Sequence, residues 1–126
     1  MAKSVSDLFA KGFSSSDQRP PVQILRQVAD RFETKVSGKL SARIVSTTSG
    51  TRFVHSFLLV AGELNYQTEL FRLAHETVKF YPAKLSSAFL PGIKDIADED
   101  GLLEALDYLF NTEKVNGLIG NLLSQL

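Results

Sequence analysis

The sequence contains no cysteine and has no excess of either charge. Without cysteine the chain has no disulfide bonds, no catalytic thiolate and no thiolate ligand for a metal ion, and its redox compartment stays unspecified. Its 14 basic and 14 acidic residues cancel, so no overall field attracts nucleic acid or an anionic membrane. Nucleic-acid binding would require a local basic patch.

Long hydrophobic runs are also absent. The longest continuous apolar run covers residues 57–61, far short of the roughly 20 residues that span a bilayer. The N-terminus lacks the apolar segment of a secretory signal peptide. We therefore expect a cytoplasmic protein without membrane contact. A chain of 126 residues suits one domain that buries roughly two-thirds of its unfolded surface.

The N-terminal part of the chain divides into an arm and a helix. Residues 1–19 are polar and serine-rich towards their end and are expected to form a flexible or loosely docked arm, whose Leu8, Phe9 and Phe13 dock on the domain or grip a partner. Residues 20–126 are expected to form a single α+β domain. Pro20 and Pro21 favour a helix start. The apolar residues that follow at helical spacing are Ile24, Leu25, Val28, Phe32 and Val36.

The centre of the chain predicts a four-stranded antiparallel β-meander. Residues 43–47, 53–61, 66–74 and 78–82 are rich in β-branched and aromatic residues, and turn-forming residues separate them. Pro82 cannot donate to a strand ladder, so the fourth strand is expected to end there or to lie at an edge. Two helices are expected to follow, one starting at the acidic residues 98–100 and one capped by Thr112.

Alternation along the predicted strands assigns two sheet faces. The predicted core face carries Val54, Leu58, Val60, Phe71, Leu73, Val78 and Phe80. The other face carries Phe53, His55, Phe57, Leu59, Tyr66, Leu70 and Arg72. This second face is too apolar to be simply solvated, so it is expected to be covered by the helices or by a second copy of the chain.

Several segments resemble a group of small bacterial proteins of unassigned function. They are the helix start at residues 19–27, the Phe53-Val54-His55-Ser56-Phe57 strand, residues 70–75, the Tyr81-Pro82 pair and the helix start at residues 112–114. The resemblance covers residues 19–126. It implies the same order of elements and a bacterial setting, and it implies no activity, ligand or catalytic residue.

Histidines are the first candidates for chemistry, because imidazole acts as an acid, a base or a metal ligand. If the hairpin between the second and third strands closes around Glu63 and Leu64, simple pairing places His55 opposite Arg72 and His75 opposite Arg52. The two histidines then lie on opposite faces. The sequence thus predicts no metal site and no catalytic residue, and both histidines are interpreted as structural or as hydrogen-bonded surface residues.

Other candidate sites have weaker patterns. No serine lies in a nucleophile elbow, and Ser56 points away from its neighbour His55. The acidic residues 98–100 match no oxygen-ligand loop and are interpreted as a helix start. Lys35, Lys39 and Arg43 with Arg52 form the one hint of a basic patch, and the sequence does not favour nucleic-acid binding.

These observations favour binding over catalysis. We expect a protein-interaction module of a bacterial cytoplasmic system, resembling an immunity protein, antitoxin or adaptor, which masks a protein partner or forms a homodimer. The predicted binding residues are Phe57, Leu59, Tyr66, Arg72 and His55. The alternative is a small-ligand-binding or enzyme domain with a pocket between sheet and helices. No cofactor is implied.

Overall fold

A computed structural model describes residues 18–126 of the chain. Its elements in chain order are α1 (Pro21–Lys35), β1 (Ser41–Ser49), β2 (Arg52–Ala61), a 3-10 turn (Gly62–Leu64), β3 (Tyr66–Glu76), β4 (Ala83–Ser86), β5 (Ile93–Ile96), α2 (Glu99–Phe110) and α3 (Glu113–Ser124). The predicted α+β class, with one antiparallel sheet and three helices in the described residues, is confirmed. The sheet has five strands rather than the predicted four.

Helix α1 begins where its sequence predicts and ends at Lys35. Pro20 precedes it in an extended conformation and Pro21 is its first residue, where a missing N–H costs nothing. Beyond Val36 the chain turns through Ser37 and Gly38, both with positive φ, and the Gly38 N–H donates to the Glu33 carbonyl. Ile24 and Leu25 are buried. This helix therefore contributes its apolar stripe to the core.

The five strands form an antiparallel meander in the order β1-β2-β3-β4-β5. The predicted fourth strand at residues 78–82 is wrong. Val78 is 87% exposed, and the chain pairs again only from Ala83, after Pro82. The prediction failed because residues 78–82 have strand-forming composition but no strand neighbour. The two real strands, β4 and β5, have four residues each, too few to give a clear alternating pattern.

Helices α2 and α3 start where the sequence predicts, each at a side-chain cap, of which the one at Thr112 was predicted. The Asp98 carboxylate accepts a hydrogen bond from the Gly101 N–H at 2.8 Å, and the Thr112 hydroxyl accepts one from the Val115 N–H at 3.3 Å. Each cap satisfies a backbone donor that the first helical turn leaves unpaired. The acidic residues 98–100 thus start a helix, as expected.

All three helices lie on one face of the sheet and form a single core with it. The Phe110 ring of α2 lies 6.2 Å from Phe32 of α1 and 6.0 Å from Phe57 of β2, measured between ring centroids. Phe57 and Phe71 stack at 4.9 Å across β2 and β3. Truncating such a ring removes both its apolar burial and its packing contacts.

The predicted face assignment of β2 is wrong. His55, Phe57, Leu59 and Ala61 are buried beneath the helices, whereas Val54, Leu58 and Val60 point to the opposite face and are half-buried. On β3, Phe71 and Leu73 belong to the core as predicted, and Leu70 is buried too. Both faces of β2 carry apolar residues, so the alternation alone could not decide which one the helices cover.

The predicted N-terminal arm, residues 1–19, lies outside the described residues except for its last two. Within these, the Arg19 guanidinium donates to both carboxylate oxygens of Glu99, at 3.0 and 2.6 Å, and to the Gln27 side chain at 3.0 Å. The chain entering α1 is therefore tied to the start of α2. Because solvent screens exposed ion pairs of this kind, the contact contributes little to stability.

Candidate functional site

Two histidines meet on the helix-covered face, close to the end of the sheet where β1 turns into β2. Their Nε2 atoms are 3.0 Å apart. The predicted placement on opposite faces is wrong: His55 pairs with Leu73 and His75 with Phe53, so neither faces an arginine. Both imidazoles are buried, with 4% and 5% of their surface exposed.

A β-bulge in β3 brings the histidines together. Phe57 pairs with Phe71 but the next residue, Leu58, pairs with Glu69, which leaves Leu70 as an extra residue. The bulge shifts the register by one and reverses the face of every later β3 residue relative to simple pairing. The Leu70 carbonyl accepts a hydrogen bond from the Ser87 hydroxyl at 2.6 Å. The predicted register is correct only between the turn and the bulge.

Ser46, His55 and His75 form one hydrogen-bonded chain. The Ser46 Oγ lies 2.7 Å from the His55 Nδ1, and the His75 Nδ1 lies 2.8 Å from the Glu76 carbonyl oxygen and 3.3 Å from that of Lys79. A carbonyl oxygen only accepts, so the His75 Nδ1 carries a proton.

The direction of the whole chain follows from this one proton when both rings are neutral. The His75 Nε2 must then accept from the His55 Nε2–H, and the His55 Nδ1 must accept from the Ser46 hydroxyl. Each donor has an acceptor and each acceptor a donor. The buried pair is therefore fully hydrogen-bonded without any charge.

The surroundings of the pair favour its neutral state. Burial, and to a smaller extent the positive charges of His75 and Arg26, together lower the pKa of His55 from 6.5 to about 4. The Phe53 ring stacks with His55 at a centroid distance of 6.3 Å, and the Phe80 ring meets His75 edge-on at 5.9 Å. His55 is consequently a neutral acceptor at physiological pH.

The pair is built as a hydrogen bond rather than as a chelate. The ring centroids are 5.1 Å apart while the two nitrogens are 3.0 Å apart, so the rings extend away from each other along the nitrogen–nitrogen direction. Two metal ligands would instead direct both lone pairs at a common third point. Within residues 18–126, no three His, Asp or Glu side chains gather into a group that could hold a metal ion.

The five predicted binding residues do not share one surface. His55, Phe57 and Leu59 lie on the helix-covered face, and the last two are completely buried. Tyr66 pairs with Ala61 at the rim of that face and is 37% exposed, whereas Arg72 pairs with Ser56 and is exposed on the opposite face. The covering that the sequence required for Phe57 and Leu59 is supplied by the helices.

The opposite face of the sheet, which we call the open face, is not covered by the described helices. Its apolar residues are Val45, Val54, Leu58, Val60 and Ile93, and none of them belongs to the core cluster or its partly buried neighbours. Six of its charges form three ion pairs, Arg52 with Glu76, Arg72 with Glu69 and Lys84 with Asp95. Arg43, which pairs with Leu58 across the strands, donates to the neutral Gln67 side chain. The face is therefore moderately apolar and carries one net positive charge.

Two strands of the sheet have a free edge, β1 and β5. β1 has nine residues, of which Arg43 is the only charged one, and it contains no proline and no glycine. Its residues from Val45 onwards are exposed. β5 has four residues, two of them charged. Because one side of an edge strand has unpaired N–H and C=O groups, β1 offers a long free hydrogen-bonding edge.

Two hollows on the surface of the described residues were compared with the predicted pocket between sheet and helices, and neither matches it. One of about 440 Å³ is lined by Gly38, Lys39, Ser41, Gly62, Glu63 and Leu126. The other, of about 340 Å³, is lined by Gln18, Val78, Lys79, Phe80 and Tyr81. The Tyr81 hydroxyl is buried without a hydrogen-bond partner, and burial raises its pKa. None of the five predicted binding residues lines either hollow.

Ser46 is the site residue that the sequence reasoning missed. The signal was present, because a two-residue turn at Gly50 and Thr51 pairs Ser49 with Arg52 and, counting back, Ser46 with His55. Gly50 has the positive φ that such hairpin turns require. The prediction that Ser56 cannot bond to His55 is consistent with the structure, because the hydroxyl that does so is that of Ser46.

Comparisons of this chain with protein-family models, with curated proteins and with solved structures found no match. The resemblance to small bacterial proteins stays a prediction. No helix among residues 18–126 is long and apolar enough to cross a membrane.

Proposed function

We propose that this chain is a protein-interaction module that self-associates by pairing β1 with β1 of a second copy. The observation that carries the proposal is the free edge of β1, nine residues long with a single charge. Its bacterial cytoplasmic setting is part of the proposal and rests on the resemblance described above.

β1 lacks the features that prevent an edge strand from pairing with another chain. Proteins block sheet edges with charges, prolines, bulges, very short strands or a covering element. β1 pairs with β2 over nine consecutive positions without a bulge. Helix α1 covers its first half through Ala42 and Ile44, and the second half is exposed. The hydrogen-bonding groups on its outer side are free to pair with another strand.

β1 can pair with β1 of a second copy without unfavourable contacts. Antiparallel pairing about a two-fold axis at Val45 places Arg43 opposite Thr47 and Ile44 opposite Ser46, so no like charges face each other. Val45, 38% exposed on the open face, then contacts Val45 of the second copy. A second copy therefore supplies hydrogen bonds and apolar contact without electrostatic cost.

The open face beside β1 also suits a second copy. Its three ion pairs, two between neighbouring strands and one within β3, balance within one copy, and Arg43 would face Thr47 of the second copy. Two copies can therefore lie side by side in one continuous sheet without like charges opposite each other. A strongly charged partner such as nucleic acid would gain little from a surface with a single net charge. This favours a second copy as the occupant of the edge.

The experiment compares solution masses by light scattering over a wide range of concentrations. We expect the wild-type chain to approach twice its mass of 13.9 kDa as concentration rises. Val45→Lys is expected to weaken association about 100-fold or more, because the two-fold axis places the new ammonium groups opposite each other. The matched control is Ile93→Lys, which changes an exposed apolar residue of the same face on the other edge strand.

Three outcomes would overturn the proposal. The wild-type chain could stay monomeric at every concentration. A folded Val45→Lys variant could associate as strongly as the wild type, or the Ile93→Lys variant could dissociate in its place. A monomer that instead binds an extended peptide along β1 would assign the edge to a different partner.

A further inference from the structure

We propose that Ser46 is a reactive nucleophile that accepts an acyl group from carboxylic esters, with His55 as its base and His75 as a positioning residue. The Ser46–His55–His75 chain has the three parts that nucleophilic catalysis requires: a hydroxyl, a base in hydrogen-bond contact with it, and a group that orients the base. This inference does not depend on self-association of the chain.

The hydroxyl is reachable while its base is shielded. Ser46 is exposed, whereas His55 is 4% exposed and stacks against Phe53. Ser46 and His55 are direct cross-strand partners, so their side chains lie on the same face of the sheet. Because side chains stand perpendicular to the sheet, pairing of a second strand along β1 would leave the hydroxyl on the face.

The hydrogen bonds have the direction that a general base needs. The Glu76 carbonyl fixes the proton of His75 on Nδ1, and this leaves the His55 Nδ1 as an acceptor for the Ser46 hydroxyl proton. If the carbonyl were replaced by a donor, the chain would reverse and the serine would accept instead. The backbone therefore holds His55 in the tautomer that can deprotonate Ser46.

The protonated form of the pair also keeps its hydrogen bonds. When His55 takes the serine proton, its Nε2–H still donates to the His75 Nε2. The His55 Nε2 proton can then move across this hydrogen bond to the His75 Nε2. Both ring N–H groups of His75 still have acceptors in that state, namely the His55 Nε2 and the Glu76 carbonyl. The pair thus accepts one proton and keeps all its hydrogen bonds except the one from the Ser46 hydroxyl, which has given up its proton.

The acyl transfer forms one bond to the carbonyl carbon and breaks one. The Ser46 Oγ forms a bond to the ester carbonyl carbon while its proton passes to the His55 Nδ1, and the bond from that carbon to the alkoxy oxygen then breaks. The leaving alkoxide takes the proton from His55 and departs as an alcohol.

The test uses a fluorophosphonate probe on the full chain, with the labelled residues located by mass spectrometry. Attack by Ser46 forms a phosphorus–oxygen bond, expels fluoride and transfers the proton to His55. We expect Ser46 to react about 100-fold faster than Ser56, which is next to His55 in the sequence but lies on the open face. This comparison is made within one folded molecule and needs no variant.

Two variants then assign the roles. His55→Asn keeps an acceptor near the Ser46 hydroxyl but cannot take up its proton, so labelling is expected to fall about tenfold or more. His75→Asn keeps a donor for the Glu76 carbonyl but removes the second imidazole. Because His75 contributes to lowering the pKa of His55, the pH at which labelling is lost should move up from about 4 in the wild type.

Hydrolysis of p-nitrophenyl acetate provides the second readout, with Ser46→Ala as the control for background reaction. Equal labelling of Ser46 and Ser56 would overturn the proposal. So would a folded His55→Asn variant with unchanged labelling of Ser46, because the hydroxyl would then react without its base. Val45→Lys should label normally, which separates this result from the test of self-association.

Discussion

The two edges of the sheet differ in almost every property that controls strand pairing. β5 has four residues, carries Lys94 and Asp95 and follows Pro91 and Gly92, whereas β1 has nine residues with one charge. Short length and charges are the features by which proteins prevent edge-to-edge association. We call β5 the closed edge and β1 the open edge. Because both belong to one sheet, the comparison teaches that protection against strand pairing is a property of each edge and not of the whole sheet.

The two edges also differ in what supports them. β5 is joined to β4 by four residue pairs and one exposed ion pair, Lys84 with Asp95. β1 is joined to β2 by nine pairs and by the hydrogen bond between Ser46 and His55. The open edge is therefore held to its neighbour over a longer stretch than the closed edge. A strand that is already held in place loses little conformational entropy when a further strand binds to it.

The largest expected effect comes from truncating a side chain in the core of the sheet. Phe57→Ala deletes a completely buried ring that stacks on Phe71 and contacts Phe110. We expect a loss of about 3–5 kcal/mol in the free energy of unfolding, measured in urea. Tyr108→Ala, which removes a ring that is 66% exposed on α2, is the control and should cost much less. A Phe57→Ala loss below about 1 kcal/mol would contradict the position of the ring.

Acid should weaken the molecule through the group that supports β1. The pKa of His55 is about 4 in the folded chain and 6.5 in the unfolded one, so the unfolded state binds more protons between these values. This contribution to stability is complete above about pH 6.5 and is lost as the pH falls towards 4. It amounts to about 1.4 kcal/mol per pH unit at most, and about 2–3 kcal/mol in total.

The acid effect is measured as the difference between wild type and His55→Asn in urea unfolding at a series of pH values. The subtraction removes the titration of the carboxylates that both proteins share. The wild type should lose its advantage between pH 6.5 and 4. Parallel stability curves for the two proteins would show that His55 is not held neutral by the fold.

The sequence was sufficient for the parts of the fold that depend on local chemistry. The start of α1 at Pro21, the start of α2 at the acidic residues 98–100 and the cap residue Thr112 depend on neighbours within a few residues, and all three predictions are confirmed. The first hairpin followed from Gly50 in the same way. Such features need no knowledge of distant contacts.

The candidate site was not predictable in this way, because it depends on a single extra residue. Leu70 bulges out of the β2–β3 ladder at a point where Leu70 and Phe71 are both buried. Nothing in the local sequence distinguishes a bulge from regular alternation there, and regular alternation sends His75 to the wrong face. The assignment of the covered face failed for a related reason, since Val54, Leu58 and Val60 are as apolar as Phe57 and Leu59.

Hydrogen exchange can sharpen the comparison of the two edges at residue level. In an antiparallel edge strand, alternate N–H groups point away from the sheet. We expect alternate amides of β1 to exchange about tenfold more slowly at high protein concentration than at low concentration, because a second copy pairs with them. Amides of β5 should exchange at rates independent of concentration. Concentration dependence on β5 alone would reverse the assignment of the open and closed edges.

The smallest expected effect concerns the charges that close the β5 edge. The Lys84 ammonium lies 2.7 Å from an Asp95 carboxylate oxygen, and both side chains are well exposed. Lys84→Met should therefore cost about 0–1 kcal/mol of unfolding free energy, measured in urea, because solvent screens the pair and the methionine keeps most of the apolar stem. Asp95→Asn, which removes the partner charge, should give a similar small loss. A loss above about 2 kcal/mol in either variant would mean that the ion pair stabilises β5 rather than protecting it, and that the closed edge depends on its charges for folding.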